Sequence, residues 1–437
     1  MIRGAVSGLV GGLVFGAVMA QIGFLPTVAA IVRTDSVGLG FAVHLLFAAI
    51  IGAGFGVLVE RQRAAASELL FWGFVYGALW WFLGPLTLLP ILLGQPVTWD
   101  LVSGQNLTPS LFGHLAYGAV TAAVFAWRQA PVIRIHLATV ARGVMAGLLA
   151  AAALVFSLGI MVGEVPYELL YASLAVGGGY GLLFGKRPEG TGPALIRGMV
   201  YGFVWWILLV LTAPALLAGG RLDWSIGAVR AALPDLVGYL LLGAGTGAVF
   251  TWLGGLGRVL FVDDVRRLRP DRFGVSRLRA ACYGGTFGLA GGLIATLFTG
   301  PLGLVEGLAA GTSYALFFRG RSFDPASGIG WGLSYGFLWW LLGSLTLWPV
   351  LQGGHPQWSA ALLAADSPAL VGHLAFGAVL GVGYQRLEER TSPWWLTRGQ
   401  AAAERAIALR EQTLGSAPAI WTLVLLLAAI IPTLVVA

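Results

Sequence analysis

The sequence predicts an all-α fold: a polytopic transmembrane helical bundle of about 12–13 helices built from parallel two-helix units. Three observations predict it. Of 437 residues, 58% are hydrophobic and only 10% are charged, with a mean hydropathy of +0.84, which is more apolar surface than a soluble core buries. Apolar runs of about 20 residues recur along the chain, and at ~1.5 Å per residue each spans the ~30 Å hydrocarbon layer. Arginine and lysine collect on alternate connections. Strands are excluded as open elements because backbone groups in lipid find no water and need an internal partner.

The runs fall near 4–22, 39–59, 70–93, 110–127, 142–161, 167–185, 197–218, 235–256, 279–298, 302–318, 329–351, 369–385 and 417–437. Arg3 precedes the first, and the even-numbered loops carry most other cations, among them Arg61, Arg63, Arg128, Lys186, Arg187, Arg266, Arg272, Arg319 and Arg386. Only Arg33, Arg221 and Arg230 lie on the opposite side. This asymmetry places the N-terminus and the basic loops in the cytoplasm. The net charge of +7 then reflects loops facing anionic lipid, and nucleic acid is not expected as a partner. "VMAQ" near residue 20 looks like a signal cleavage site, but its segment belongs to a repeat and is read as a retained helix. The single Cys282 excludes an internal disulfide framework.

The repeat is the strongest internal feature. "WGFVYGALWWFLGPLTLLPILLG" from Trp72 matches "WGLSYGFLWWLLGSLTLWPVLQG" from Trp331, and at the same offset Trp99 meets Trp358 and His114 meets His373. "RGMVYGFVWWILLVLTAPALLAGG" from Arg197 is a third copy, with Trp224 and Tyr239 at those positions. Three four-helix membrane repeats result, at 3–127, 142–256 and 279–386. Each divides into two hairpins whose second helix carries an aromatic at one place: Phe55, Phe125, Tyr180, Phe250, Tyr314 and Tyr384. Because every unit has an even number of helices, all copies run the same way through the bilayer, unlike inverted-repeat transporters.

Glycine ladders such as Gly4, Gly8, Gly12 and Gly16 read as faces where helix backbones approach closely. The tryptophan pairs Trp80-Trp81, Trp205-Trp206 and Trp339-Trp340 point about 100° apart, so one ring of each packs inside. Trp99, Trp224 and Trp358 read as interfacial anchors in the outer loops. "GGGYGLLFGK" from Gly177 lacks the first glycine and the Ser/Thr of a phosphate loop. No HExxH or CxxC pattern occurs, so catalytic residues and metal ligands are assigned to none, and the chain leans away from being an enzyme. Acidic residues, Glu306 and Asp366 included, fall at or near the outer surface, which weighs against an ion-coupled pump.

The polar residues that remain are His44, His114 and His373, at one equivalent position below the outer surface. A ring there needs a partner. The preceding helices offer Thr87 to His114, Thr346 to His373, and Thr212 to Tyr239, giving structural polar pairs or the lining of a substrate pocket. The alternative is haem or another metal held by two of His44, His114 and His373; otherwise no cofactor is expected.

The units "YGALWWFLGPLTLLP" and "GHLAYGAVTAAVF" resemble small four-helix bacterial membrane proteins that form families of unknown function, present here as three tandem copies. Such a resemblance implies the membrane fold and no activity. Residues 391–437 break the pattern with a short charged amphipathic helix and an apolar C-terminal anchor, open to a protein partner or self-association. The expectation is a non-enzymatic multi-pass protein in contact with membrane lipids, serving as a small-solute or lipid pathway or as a structural subunit of a membrane complex; the alternative is a membrane redox protein.

Overall fold

The computed structural model describes residues 1–60, 64–129, 136–162, 167–185, 190–261, 277–299, 301–321, 324–390 and five positions between 399 and 406. The expected anchor at 417–437 and most of the amphipathic helix before it lie outside the described residues. Among those described, the chain is helical, with twelve long helices. They are α1 (Ile2–Gln21), α2 (Val37–Val59), α3 (Ala66–Leu92), α4 (Thr108–Gln129), α5 (Leu137–Val162), α6 (Tyr167–Phe184), α7 (Thr191–Leu217), α8 (Leu233–Phe261), α9 (Arg277–Thr299), α10 (Leu302–Phe318), α11 (Pro325–Trp339, continued by Trp340–Leu347 and Trp348–Leu351) and α12 (Ser367–Arg390). Eight helical spans are long and apolar enough to cross a membrane, and α6 and α10 are shorter apolar helices. The protein is a multi-pass membrane protein with an all-α fold.

Consecutive helices pair as antiparallel hairpins whose backbones meet at glycine. Gly8 of α1 lies against Gly52 of α2, Gly73 of α3 against Gly118 of α4, and Gly147 of α5 against Gly177 of α6. The same closeness joins Gly198 to Gly243, Gly288 to Gly307 and Gly332 to Gly377 in the later pairs. A Cβ at Gly73 would strike the carbonyl oxygen of Gly118, so only hydrogen fits there. Lipid supplies no hydrophobic force between apolar helices; dispersion between backbones this near replaces it.

The chain divides into two compact units. Among the described residues, the first comprises 1–129 and 204–235, and the second 136–203 and those from 236 to 406. In the first, α1 packs on both α2 and α4, and Phe55, Tyr76 and Phe125 form a buried aromatic cluster. Phe55 meets Phe125 edge-on with ring centres 6.0 Å apart and Tyr76 at 5.3 Å. In the second unit, Tyr180 packs on Phe250 at 5.4 Å and Tyr201 at 5.5 Å. There too Tyr314 packs on Tyr384 at 5.9 Å and Tyr335 at 5.6 Å. The six aromatic positions marked in the sequence are therefore buried, and each hairpin's ring meets the ring of the hairpin beside it.

Candidate functional site

The loops after α3, α7 and α11 share one construction, which begins inside the helix. At or just beyond each tryptophan pair the helix widens into π-type turns: Gly84–Leu88, Ile207–Thr212 and Trp340–Leu347. Such widening is uncommon and concentrates at functional positions. Proline accounts for the released carbonyls. Pro90 and Pro349 have no N–H, so the carbonyls four residues back, Leu86 and Leu345, are free to accept from the loop. Thr98 N–H reaches Leu86 at 3.0 Å and Gln357 N–H reaches Leu345 at 2.7 Å. Gly94, Gly219 and Gly353 then turn the chain with positive φ of 73°, 66° and 80°, a backbone region that glycine enters without strain.

Each returning loop enters a six-residue helix: Leu101–Asn106, Ile226–Ala231 or Ala360–Ala365. Asp100, Ser225 and Ser359 cap these helices by accepting the N–H groups of Ser103, Ala228 and Leu362. Hydrogen bonds from Ser103 hold the exposed Asp100 carboxyl below the usual carboxylate range, and bonds from Ser225 do the same for Asp223. The second tryptophan of each pair is buried and the first half-buried. The buried indoles tether the short helices: Trp81 donates to the Leu107 carbonyl at 3.0 Å, Trp206 to that of Ala232 at 2.9 Å, and Trp340 to Asp366 Oδ2 at 2.8 Å.

The expected histidine–threonine pairs are not the pairs that form. Thr87 donates to the Phe82 carbonyl at 2.8 Å and accepts the Trp99 indole N–H at 3.0 Å. Thr346 likewise donates to Leu341 at 2.7 Å and accepts from Trp358 at 3.0 Å. The widened turns direct both hydroxyls back to the fifth preceding carbonyl and toward the loop, away from the histidines. The Thr212 hydroxyl has no hydrogen-bond partner among the described residues, and the same holds for the indole of Trp224. Trp224 also departs from the anchor reading: it is buried against Phe112, ring centres 5.7 Å apart. Trp99 remains exposed.

In the first unit His44 and His114 flank Phe15, with ring centres 5.3 and 4.7 Å from it. His44 donates its Nε2–H to the Gly12 carbonyl at 2.9 Å. His114 turns the other nitrogen inward, placing Nδ1 2.8 Å from the Ser110 carbonyl. A carbonyl only accepts, so the hydrogen sits on Nδ1 and Nε2 of the neutral ring carries a lone pair. That Nε2 has no protein partner among the described residues; it faces Gly84 at the edge of a cavity of about 130 Å³. The walls are apolar, Phe15, Trp80, Pro85 and Tyr117 among them. Phe47, Leu88 and Leu92, which also line it, are exposed on the helix surface.

The second unit holds a different arrangement at His373. Its Nδ1 lies 2.8 Å from the Ala369 carbonyl and its Nε2 lies 2.9 Å from Glu306 Oε1. The other carboxylate oxygen of Glu306 accepts the Trp348 indole N–H at 2.9 Å. Glu306, near the start of α10, is buried within the protein. Its side chain reaches across to α12, and Gly343, where an added Cβ would meet Oε1, leaves it room. Burial raises the Asp366 carboxyl above its ordinary range, against the lowering effect of the Trp340 hydrogen bond.

Axial haem ligation uses an imidazole nitrogen lone pair. Both ring nitrogens of His373 are engaged, by Ala369 and Glu306, whereas the bonds of His44 and His114 each engage one nitrogen. Among the described residues no three His, Cys, Asp or Glu side chains gather as a metal would require. No family model, curated protein or solved structure matches the chain.

Proposed function

We propose that the protein is a non-enzymatic module of the bacterial cytoplasmic membrane, built from three tandem four-helix repeats, that takes an amphipathic lipid from the bilayer into the cavity beside His114. One observation carries this reading: an apolar cavity, lined in part by side chains exposed on the helix surface, that the unprotonated Nε2 of a neutral imidazole borders. A lone pair at the edge of a hydrocarbon-lined pocket selects a molecule with one donor, a hydroxyl or amine, on an apolar chain. A charged headgroup has no counter-ion there. The exposed lining suits a ligand already dissolved in lipid, which needs no aqueous path.

The test uses purified full-length protein in nanodiscs and a photoreactive long-chain alcohol. Adducts are expected to concentrate on peptides containing Phe47, Trp80 and Leu88. Val28, which lines the cavity, changed to Trp should reduce them severalfold, whereas His114→Phe should reduce capture of the alcohol but not of the matching hydrocarbon. Adducts spread evenly over lipid-facing positions such as Phe156, unaffected by Val28→Trp, would reject the reading.

A further inference from the structure

The contact between Glu306 and His373 is independent of the cavity and lies in the other compact unit. Its hydrogen-bond pattern fixes a proton count. Nδ1 of His373 faces a carbonyl, which cannot donate, so Nδ1 carries a hydrogen. The 2.9 Å contact between Nε2 and Oε1 then needs one further proton, on the ring or on the carboxyl. With it the pair has no net charge; without it a carboxylate oxygen and a nitrogen lone pair face each other in a buried site.

We propose that Glu306 and His373 form a binding site for a single proton, and that loss of this proton to water opens the contact that joins α10 to α12. A carboxylate–imidazole pair inside a membrane helix bundle is costly to keep and marks a functional position. Trp348 strengthens the assignment: by donating to Oε2 it orients the carboxyl so that Oε1 meets the ring, and it does so whichever partner holds the proton. The neighbouring groups are few. Asp366, bonded to Trp340, is the other acid facing the pair, and its negative charge favours retention of the proton. α11 contributes the two indoles and Gly343, whose missing side chain leaves space beside Oε1. From α9, which packs on both α10 and α12, Gly292 lies against Gly303 and Gly291 against Phe376.

Glu306→Gln tests this, because the amide donates to Nε2 and accepts from Trp348 without titrating. Thermal unfolding of the full chain in detergent should show a wild-type midpoint that falls as pH rises from mildly acid to alkaline. This pair contributes stability that is present at low pH and lost with the proton. The variant should lack that part of the fall. In parallel, the His373 ring signal in a ¹⁵N-histidine-labelled sample, identified by its absence in His373→Gln, should titrate over the same range and stay fixed in Glu306→Gln. An identical pH slope in both proteins, or a wild-type His373 signal that does not move while the midpoint falls, overturns the proposal. If Glu306→Gln does not assemble, the wild-type ring signal decides alone: movement together with the midpoint supports the site, and a constant signal rejects it.

Discussion

The indole N–H of Trp340 donates to the carboxylate of Asp366, 2.8 Å away and 26 residues later. The same interval separates Trp81 from Leu107 and Trp206 from Ala232. In all three, a buried ring fixes the residue at which the next long helix begins. Two of the acceptors are backbone carbonyls, and the third is a side chain that can change charge.

Trp206→Phe removes the donor, leaving a buried carbonyl unpaired, and replaces a fully buried indole by a smaller ring. A loss of more than about 1 kcal/mol in unfolding free energy is expected, because the lost hydrogen bond and the cavity add, measured by denaturant titration in detergent.

Trp340→Phe should cost more, roughly 1.5–3 kcal/mol at neutral pH, because the acceptor is a charged carboxylate. Burial already holds the Asp366 carboxyl above its ordinary range, and removing the indole raises it further. An acid raised in the folded state costs stability once ionised, so the deficit should shrink as pH falls through the carboxylate range. A deficit that is constant with pH would show that lost packing, and not the charge, dominates.

Gly118→Ala places a methyl group against the backbone of Gly73 and should cost about 1–3 kcal/mol by overpacking. Gly372→Ala, where nothing lies within 4 Å of the new Cβ, should be neutral or stabilise by about 0.5 kcal/mol through the unfolded chain. Equal effects at both positions would refute the role given to the backbone contact.

Cysteines introduced at Arg61, Arg187 and Arg272 in a Cys282→Ala background should react with impermeant thiol reagents only from the cytoplasm. Those at Gln95, Gly220 and Gln357 should react only from outside. Labelling at Arg272 from outside would contradict the orientation drawn from charge placement.

For His44 the competing cofactor reading gives a clear optical signature. The purified protein should show no reducible Soret band, and His44→Phe should lower stability by only about 0.6 kcal/mol, the mean for a hydrogen bond in a membrane. A reducible band abolished by His44→Phe or His114→Phe would establish haem in place of the hydrogen bond to Gly12.

The helices were legible in the sequence because lipid demands long apolar runs, and the hairpin contacts because glycine at four-residue spacing has few other uses in a membrane. The buried aromatic positions were also legible, from their constant place in each hairpin. Side-chain pairing was not. Equal depth put Thr87 opposite His114, but depth says nothing about which way a residue points around the helix axis, and the widened turns rotate Thr87 toward Trp99. A signal for the true partner was present: Thr87 and Trp99, like Thr346 and Trp358, are separated by 12 residues. The Glu306–His373 contact was not legible either, because a place near the end of an apolar run does not say which way a carboxyl turns.

The widened turns at or just beyond the tryptophan pairs also set the angular phase of the helix beyond them. A π-type turn accommodates one residue more than an α-turn, and one residue is about 100° of rotation. Trp80 and Leu92, on opposite sides of Gly84–Leu88, therefore cannot be placed on a single helical wheel. Deleting one residue within that segment would restore regular α geometry while swinging the loop-proximal turn, with Pro90 and the carbonyl it frees, by a quarter of a circle or more. The loop would lose its anchor although the helix itself became more regular, so length at this point is as strictly constrained as residue identity.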